Sequence, residues 1–222
     1  MSRIASLAVC ILAVASELNA GDFGQFRGPD GTGVIEQQDL PTVWGSKQNL
    51  AWKIAVPGSG WSQPVIHGKR LYVTAAVADK ELKPRNFADG VKSPSSMGLG
   101  FLSRAPKVDI QWTVFCYDTK DGTLVWQKVV DSGNPKFAIH PSNTYATESP
   151  VVDSQGVYVF FASTGKVARL SLEGELQWER DIGTFKTSNN FGTGSSLAMH
   201  EGKIFVQSFT EGSSDVFCFD CK

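Results

Sequence analysis

Cys218-Phe-Asp-Cys221 has the C-x-x-C spacing of redox dithiols and thiolate metal sites. Its context points elsewhere. Cys218 sits in a strand-like run, Asp215-Val-Phe-Cys-Phe-Asp220, and Lys222 stands where haem attachment would need His. Gly192-Thr-Gly-Ser-Ser196 suggests a serine nucleophile at Ser195. A nucleophile elbow needs a strand before the serine and a helix after it; here a strand pattern follows. The same glycines open no helix that could cradle phosphate. His67, His140 and His200 lack metal-ligand spacing, and Asp118-Thr-Lys-Asp-Gly122 lacks the closing Glu of a calcium loop. No metal site is expected.

The elements around these residues repeat. Three stretches read alike: Ser62-Gln-Pro-Val-Ile-His-Gly68-Lys-Arg-Leu-Tyr-Val-Thr74, Glu148-Ser-Pro-Val-Val-Asp-Ser-Gln-Gly156-Val-Tyr-Val-Phe160, and Ser195-Ser-Leu-Ala-Met-His-Glu-Gly202-Lys-Ile-Phe-Val-Gln207. Each has a polar start, a short apolar run, a glycine turn and an alternating strand, the pattern of a β-hairpin. A second strand pair follows in Trp112-Thr-Val-Phe-Cys-Tyr-Asp118-Thr-Lys-Asp-Gly122-Thr-Leu-Val-Trp126. Val167-Ala-Arg-Leu-Ser-Leu-Glu-Gly174-Glu-Leu-Gln-Trp178 repeats it, with Gly and Trp both displaced by 52 residues. A third copy begins at Asp215, where Cys218 takes the place of Cys116.

Four short strands per unit of about 40–50 residues is the pattern of a propeller blade. The predicted fold is all-β: a β-propeller of four-stranded antiparallel blades, about two and three-quarter of which are present. A β-sandwich is the runner-up, but its strands need not repeat their sequence. Leu50-Ala-Trp52-Lys-Ile54 resembles the outermost strand of a unit that lacks its other three. Asp79–Lys107, rich in Pro, Gly and Ser, breaks the period between the second and third strands of the first blade. It reads as a surface excursion: a linker, a lid or a partner-binding loop.

Arg3, the apolar stretch Ile4–Ala15 and the small residue Ala20 have the layout of a secretory signal over residues 1–20, with Ala15 as an alternative cleavage point. Cleavage leaves Cys116, Cys218 and Cys221 in an oxidising compartment, where three thiols cannot all pair within one chain. The 222 residues hold 21 Lys+Arg against 22 Asp+Glu, a net charge of −1, so nothing favours nucleic acid as a partner. No apolar run is long enough to span a bilayer. High Gly (22) and Phe (14) beside only 3 Met suit short strands and tight turns.

The repeat resembles that of pyrroloquinoline-quinone-type (quinoprotein-like) propellers. Its carriers are Ser-Pro-Val, Gly-x-Val-Tyr-Val and the Gly-x-x-x-Trp ending of each unit. Gln25-Phe-Arg-Gly-Pro-Asp-Gly-Thr-Gly33, Gly60-Trp-Ser-Gln-Pro64 and Asn143-Thr-Tyr-Ala-Thr-Glu-Ser-Pro150 are similar to an exported subgroup from planctomycete-like bacteria. The resemblance implies residues 21–222 as partial propeller repeats of a ring of seven or eight blades, so the chain is expected to be an N-terminal piece of one. It implies a periplasmic or extracellular location.

The resemblance also raises quinone-dependent oxidation, in which quinone and calcium lie on the propeller axis between a tryptophan and a disulfide of adjacent cysteines. No Cys-Cys pair occurs. Trp61 could reach the axis or pack; Asn143 and Glu148 could offer oxygens to calcium. Glu148 stands out because its sister positions are Ser62 and Ser195. The leading expectation is a scaffold with no cofactor of its own, binding an unidentified protein, small molecule or carbohydrate. Its rim would be formed by Trp61, Ser62, Thr147, Glu148, Thr193 and Ser195. The alternative is a quinoprotein alcohol or sugar dehydrogenase, with PQQ and calcium held partly by further blades. A third class is an assembly factor like the propeller of the outer-membrane protein insertion machinery, which would carry a lipid anchor; Cys10, inside an apolar run and preceded by Val9, lacks the lipoprotein pattern.

Overall fold

The computed structural model describes residues 22–34, 40–80, 82 and 99–222. The expected signal segment, and most of the Asp79–Lys107 excursion, lie outside the described residues.

The chain forms three antiparallel sheets in sequence order. The first holds β1 (Val65–His67), β2 (Arg70–Ala78), β3 (Ile110–Asp118) and β4 (Leu124–Gly133). The second holds β5 (Val151–Asp153), β6 (Gly156–Phe161), β7 (Lys166–Leu170) and β8 (Leu176–Asp181). The third holds β9 (Ala198–His200), β10 (Lys203–Phe209) and β11 (Ser214–Asp220). Each sheet pairs its strands in chain order, as propeller blades do.

Stacking of the blades is written in β6. All six of its residues are buried, which a strand with one wet face cannot achieve. Val157, Val159 and Phe161 pack with Val65, Tyr72, Val114 and Cys116 of the first blade. Tyr158 and Phe160, on the other face, pack with Ile204 and Val206 of the third. A two-sheet sandwich has no such doubly covered middle sheet.

The repeated Gly and Trp meet across blades. Trp126 Nε1 donates to Leu172 O at 2.9 Å. A Cβ on Gly174 would stand 2.7 Å from Trp126 Cδ2, and Gly174 has φ +90°, so both space and backbone demand glycine. Trp52 Nε1 donates likewise to Thr119 O at 3.0 Å, over Gly122. Residues 50–54 thus dock as an outer strand's tryptophan would and pair with no strand among the described residues, as expected of a unit that lacks its other three. Trp178 keeps the packing, against Tyr158 and Phe219, but its buried Nε1 has no partner among the described residues.

The inner strands are tied by residues 22–27. Phe23 and Ile66 exchange backbone hydrogen bonds at 2.9 Å, and Val152 N donates to Gly24 O at 2.8 Å. Met199 N donates to Gln25 Oε1 at 3.2 Å. One short strap therefore caps the free edges of β1, β5 and β9. Asp22 anchors it, pairing with His67 Nδ1 at 2.7 Å and accepting from Gly68 N at 2.8 Å. His67 is thereby part of the strap's anchorage.

Candidate functional site

The segments that lead into β1, β5 and β9 converge on one rim. Equivalent positions at these entries form a ladder: Gln63 N donates to Ser149 Oγ at 2.9 Å, and Ser149 N donates to Ser196 Oγ at 3.0 Å. Gln63, Ser149 and Ser196 are the same residue of the repeat. Each step joins one blade to the next with an otherwise unpaired backbone N–H.

All six expected site residues lie on this rim. Trp61 N donates to Ala146 O at 3.0 Å, and Trp61 is 57% exposed. Ser62 Oγ lies 3.2 Å from Thr74 O, to which it donates, and accepts from Thr74 N at 3.1 Å. Thr147 Oγ1 donates to Asn143 Oδ1 at 2.7 Å. Thr193 Oγ1 donates to Glu148 Oε1 at 2.8 Å, while Thr74 Oγ1 donates to Glu148 O at 3.1 Å. Glu148 thus touches all three blades. Ser195, two residues after Thr193, is exposed.

Glu148 is only 2% exposed. Burial pushes its carboxyl up to about 7, although the Thr193 hydroxyl and the backbone N–H groups of Glu148, Thr147 and Ala162 act to lower it. A carboxyl so placed is poised between its charged and neutral forms near neutral pH.

The oxygens that the quinone–calcium alternative would call on already take part in hydrogen bonds. Glu148 Oε1 is taken by Thr193. Asn143 Oδ1 accepts from Thr147 Oγ1 and from Thr144 N, each at 2.7 Å, and its amide donates to Phe191 O at 2.8 Å. Calcium takes about six to eight oxygens, and among the described residues no three His, Cys, Asp or Glu side chains come together. Cys116, Cys218 and Cys221 are unpaired thiols. Burial leads the causes that push the Cys116 thiol up to about 11.

Between the second and third blades the rim opens into a cleft of about 220 Å³. Phe160 and Ala162 line one side, Gln207, Ser208 and Phe209 the other, and the 185–195 loop its mouth. Asn190 braces that loop: its amide donates to Gly100 O at 2.7 Å, joining it to the end of the excursion. Sequence reading missed the ladder, the strap and the cleft. The ladder had a signal, the Ser before Pro150 and its counterpart Ser196; the cleft had none, because its residues come from three separate segments.

The profile of the family described as outer membrane protein assembly factor BamB matches residues 34–222. Among solved structures, the chain is similar to the crystal structure of BamB from Moraxella catarrhalis, at 16% identity and a TM-score of 0.34. That match covers 54% of this chain and 35% of the solved one. No curated protein matches by sequence.

Proposed function

This chain belongs to the BamB-type family of PQQ-like repeat propellers, and we propose that it is an exported scaffold that binds a protein partner on the rim of its strand entries. The observation that supports this is the pairing of a stitched frame with an exposed aromatic ring. The Gln63–Ser149–Ser196 ladder and the Glu148–Thr193 bond fix the entries. Trp61, at 57%, stands out from that frame. Large aromatic rings on a rigid support are what interfaces use as anchors. The role in the family's description, outer-membrane protein assembly, is one form such a rim would serve. The signal-like layout of residues 1–20 supports export.

The test is capture of partners by the wild-type chain and by a Trp61→Ser variant in the native host. The scaffold reading expects a partner held by the first and lost by the second. Retention of every partner by the variant would contradict it. Titration with PQQ and calcium is the companion experiment: sub-micromolar binding with turnover of an alcohol would favour the dehydrogenase alternative.

A further inference from the structure

We propose that the far face of the third blade is the contact surface for a second copy of this chain, packed on it face to face. This surface is distinct from the strand-entry rim, and the inference does not depend on how that rim is read.

Strand alternation sets the two faces of the blade. Ile204 and Val206 of β10 turn toward the second blade and are buried there. Phe205, Gln207 and Phe209 therefore turn away from it. Register adds Ala198 of β9, opposite Phe205, and Cys218 and Val216 of β11, opposite Phe205 and Gln207. The same register in the other two blades marks positions that the following blade covers. Val65 and Val151, the counterparts of Ala198, are 0% and 1% exposed. Val114 and Val167, the counterparts of Val216, are both at 0%. Val216 itself is 69% exposed, and Phe209 is 67% exposed. The third blade thus turns a blade-contact face to solvent, and so large an apolar patch marks an interaction surface.

A second copy fits this face for three reasons. The opposite end of the blade stack is already closed: Val73, Ala75, Phe115 and Tyr117, on the far face of the first blade, are buried and pack with Ile54. Head-to-tail stacking therefore meets no open face, whereas like on like closes as a two-fold pair. Charge does not oppose the pairing. Ala198, Phe205, Val216 and Cys218 carry none at the centre, and the one charged rank places Lys203 opposite both Asp220 and His200. Size sets the strength. Strands of up to seven residues, three abreast, span roughly 23 Å by 14 Å, or about 320 Å² per copy. A standard interface buries about 800 Å² per partner, so this pair is weak and depends on concentration.

The test is sedimentation equilibrium of the purified chain over roughly a hundredfold range of concentration, from about 5 μM upward. The mass should rise from one copy toward two and go no further. Val216→Glu and Phe209→Glu, both at exposed positions, should each weaken association at least tenfold with unchanged thermal unfolding. Leu176→Glu, exposed on the outer strand of the second blade, should change nothing. Cys218 supplies a second readout, because it is exposed while Cys116 and Cys221 are buried. Its alkylation by iodoacetamide should slow at least threefold across the same range. A single-copy mass throughout, growth beyond two copies, or association undiminished in both face variants would overturn the proposal. So would alkylation of Cys218 that ignores concentration.

Discussion

Trp126 Nε1 donates to Leu172 O at 2.9 Å, tying the outer strand of one blade to the last turn of the next, while the indole lies against Gly174. A methyl group at Gly174 meets two obstacles, the indole and the positive φ. Gly202 has a positive φ as well, +69°, but open space around it. Gly202→Ala should therefore cost about 1–2 kcal/mol, the backbone penalty alone. Gly174→Ala should cost measurably more. Denaturant midpoints of the two variants give the comparison; equal losses would mean that the indole contact constrains nothing.

The serine ladder makes a second expectation. Ser149→Ala leaves Gln63 N without its acceptor, and Ser196→Ala does the same to Ser149 N. Each loss should destabilise the chain by about 1–3 kcal/mol, because a half-buried N–H goes unmet. Ser195→Ala, one residue away and exposed, should be nearly silent. Thermal unfolding of the three variants checks it, and a silent Ser149→Ala would remove the ladder from the account.

Glu148 predicts how stability follows pH. Its carboxyl is pushed up to about 7 in the folded chain, chiefly by burial, from an ordinary value of 4.5. The folded state therefore holds a proton that the unfolded state releases between those values. Stability from this group falls as pH rises from 4.5 to about 7. The fall is roughly 3 kcal/mol. Glu148→Gln, which stays neutral and can still accept from Thr193, should flatten the profile and raise stability at pH 8. Unfolding titrations at pH 5 and pH 8 decide it; a wild-type chain more stable at pH 8, with the variant unchanged in slope, would show that Glu148 is not the group responsible.

The strap predicts a coupled response in three blades. A Cβ on Gly24 would lie 2.6 Å from Val152 O, so Gly24→Val must lift the strap. The amides of Ile66, Val152 and Met199 all donate to the strap. Their hydrogen exchange should rise together in the variant. A rise at Val152 alone would show that the strap is not one unit.

The blades were legible in the sequence because their strands repeat at fixed offsets. Gly122 and Gly174, Trp126 and Trp178 mark the same turns and the same outer strands, and the structure places them so. Trp52 was legible as an outer-strand residue, while its bond to Thr119 was not, since packing of the indole needs no strand beneath it. Glu148 stood out by breaking the repeat, although its burial and its bond to Thr193 depend on a third blade that periodicity alone does not bring near. The strap at Phe23–Gln25 was invisible for a different reason: at Phe23 and Gly24 it is held by backbone groups, and those residues carry no pattern. The cleft draws on β6, β10 and the 185–195 loop, and no local signal links those segments.

Site-specific photocrosslinking in the native host tests the central claim, that the strand-entry rim is the binding face. A crosslinking residue placed at Trp61 or Ser195 should give the same discrete adduct, and one at Leu124 or Leu176 on the outer strands should give none. Adducts that form from the outer strands and not from the rim would contradict the account.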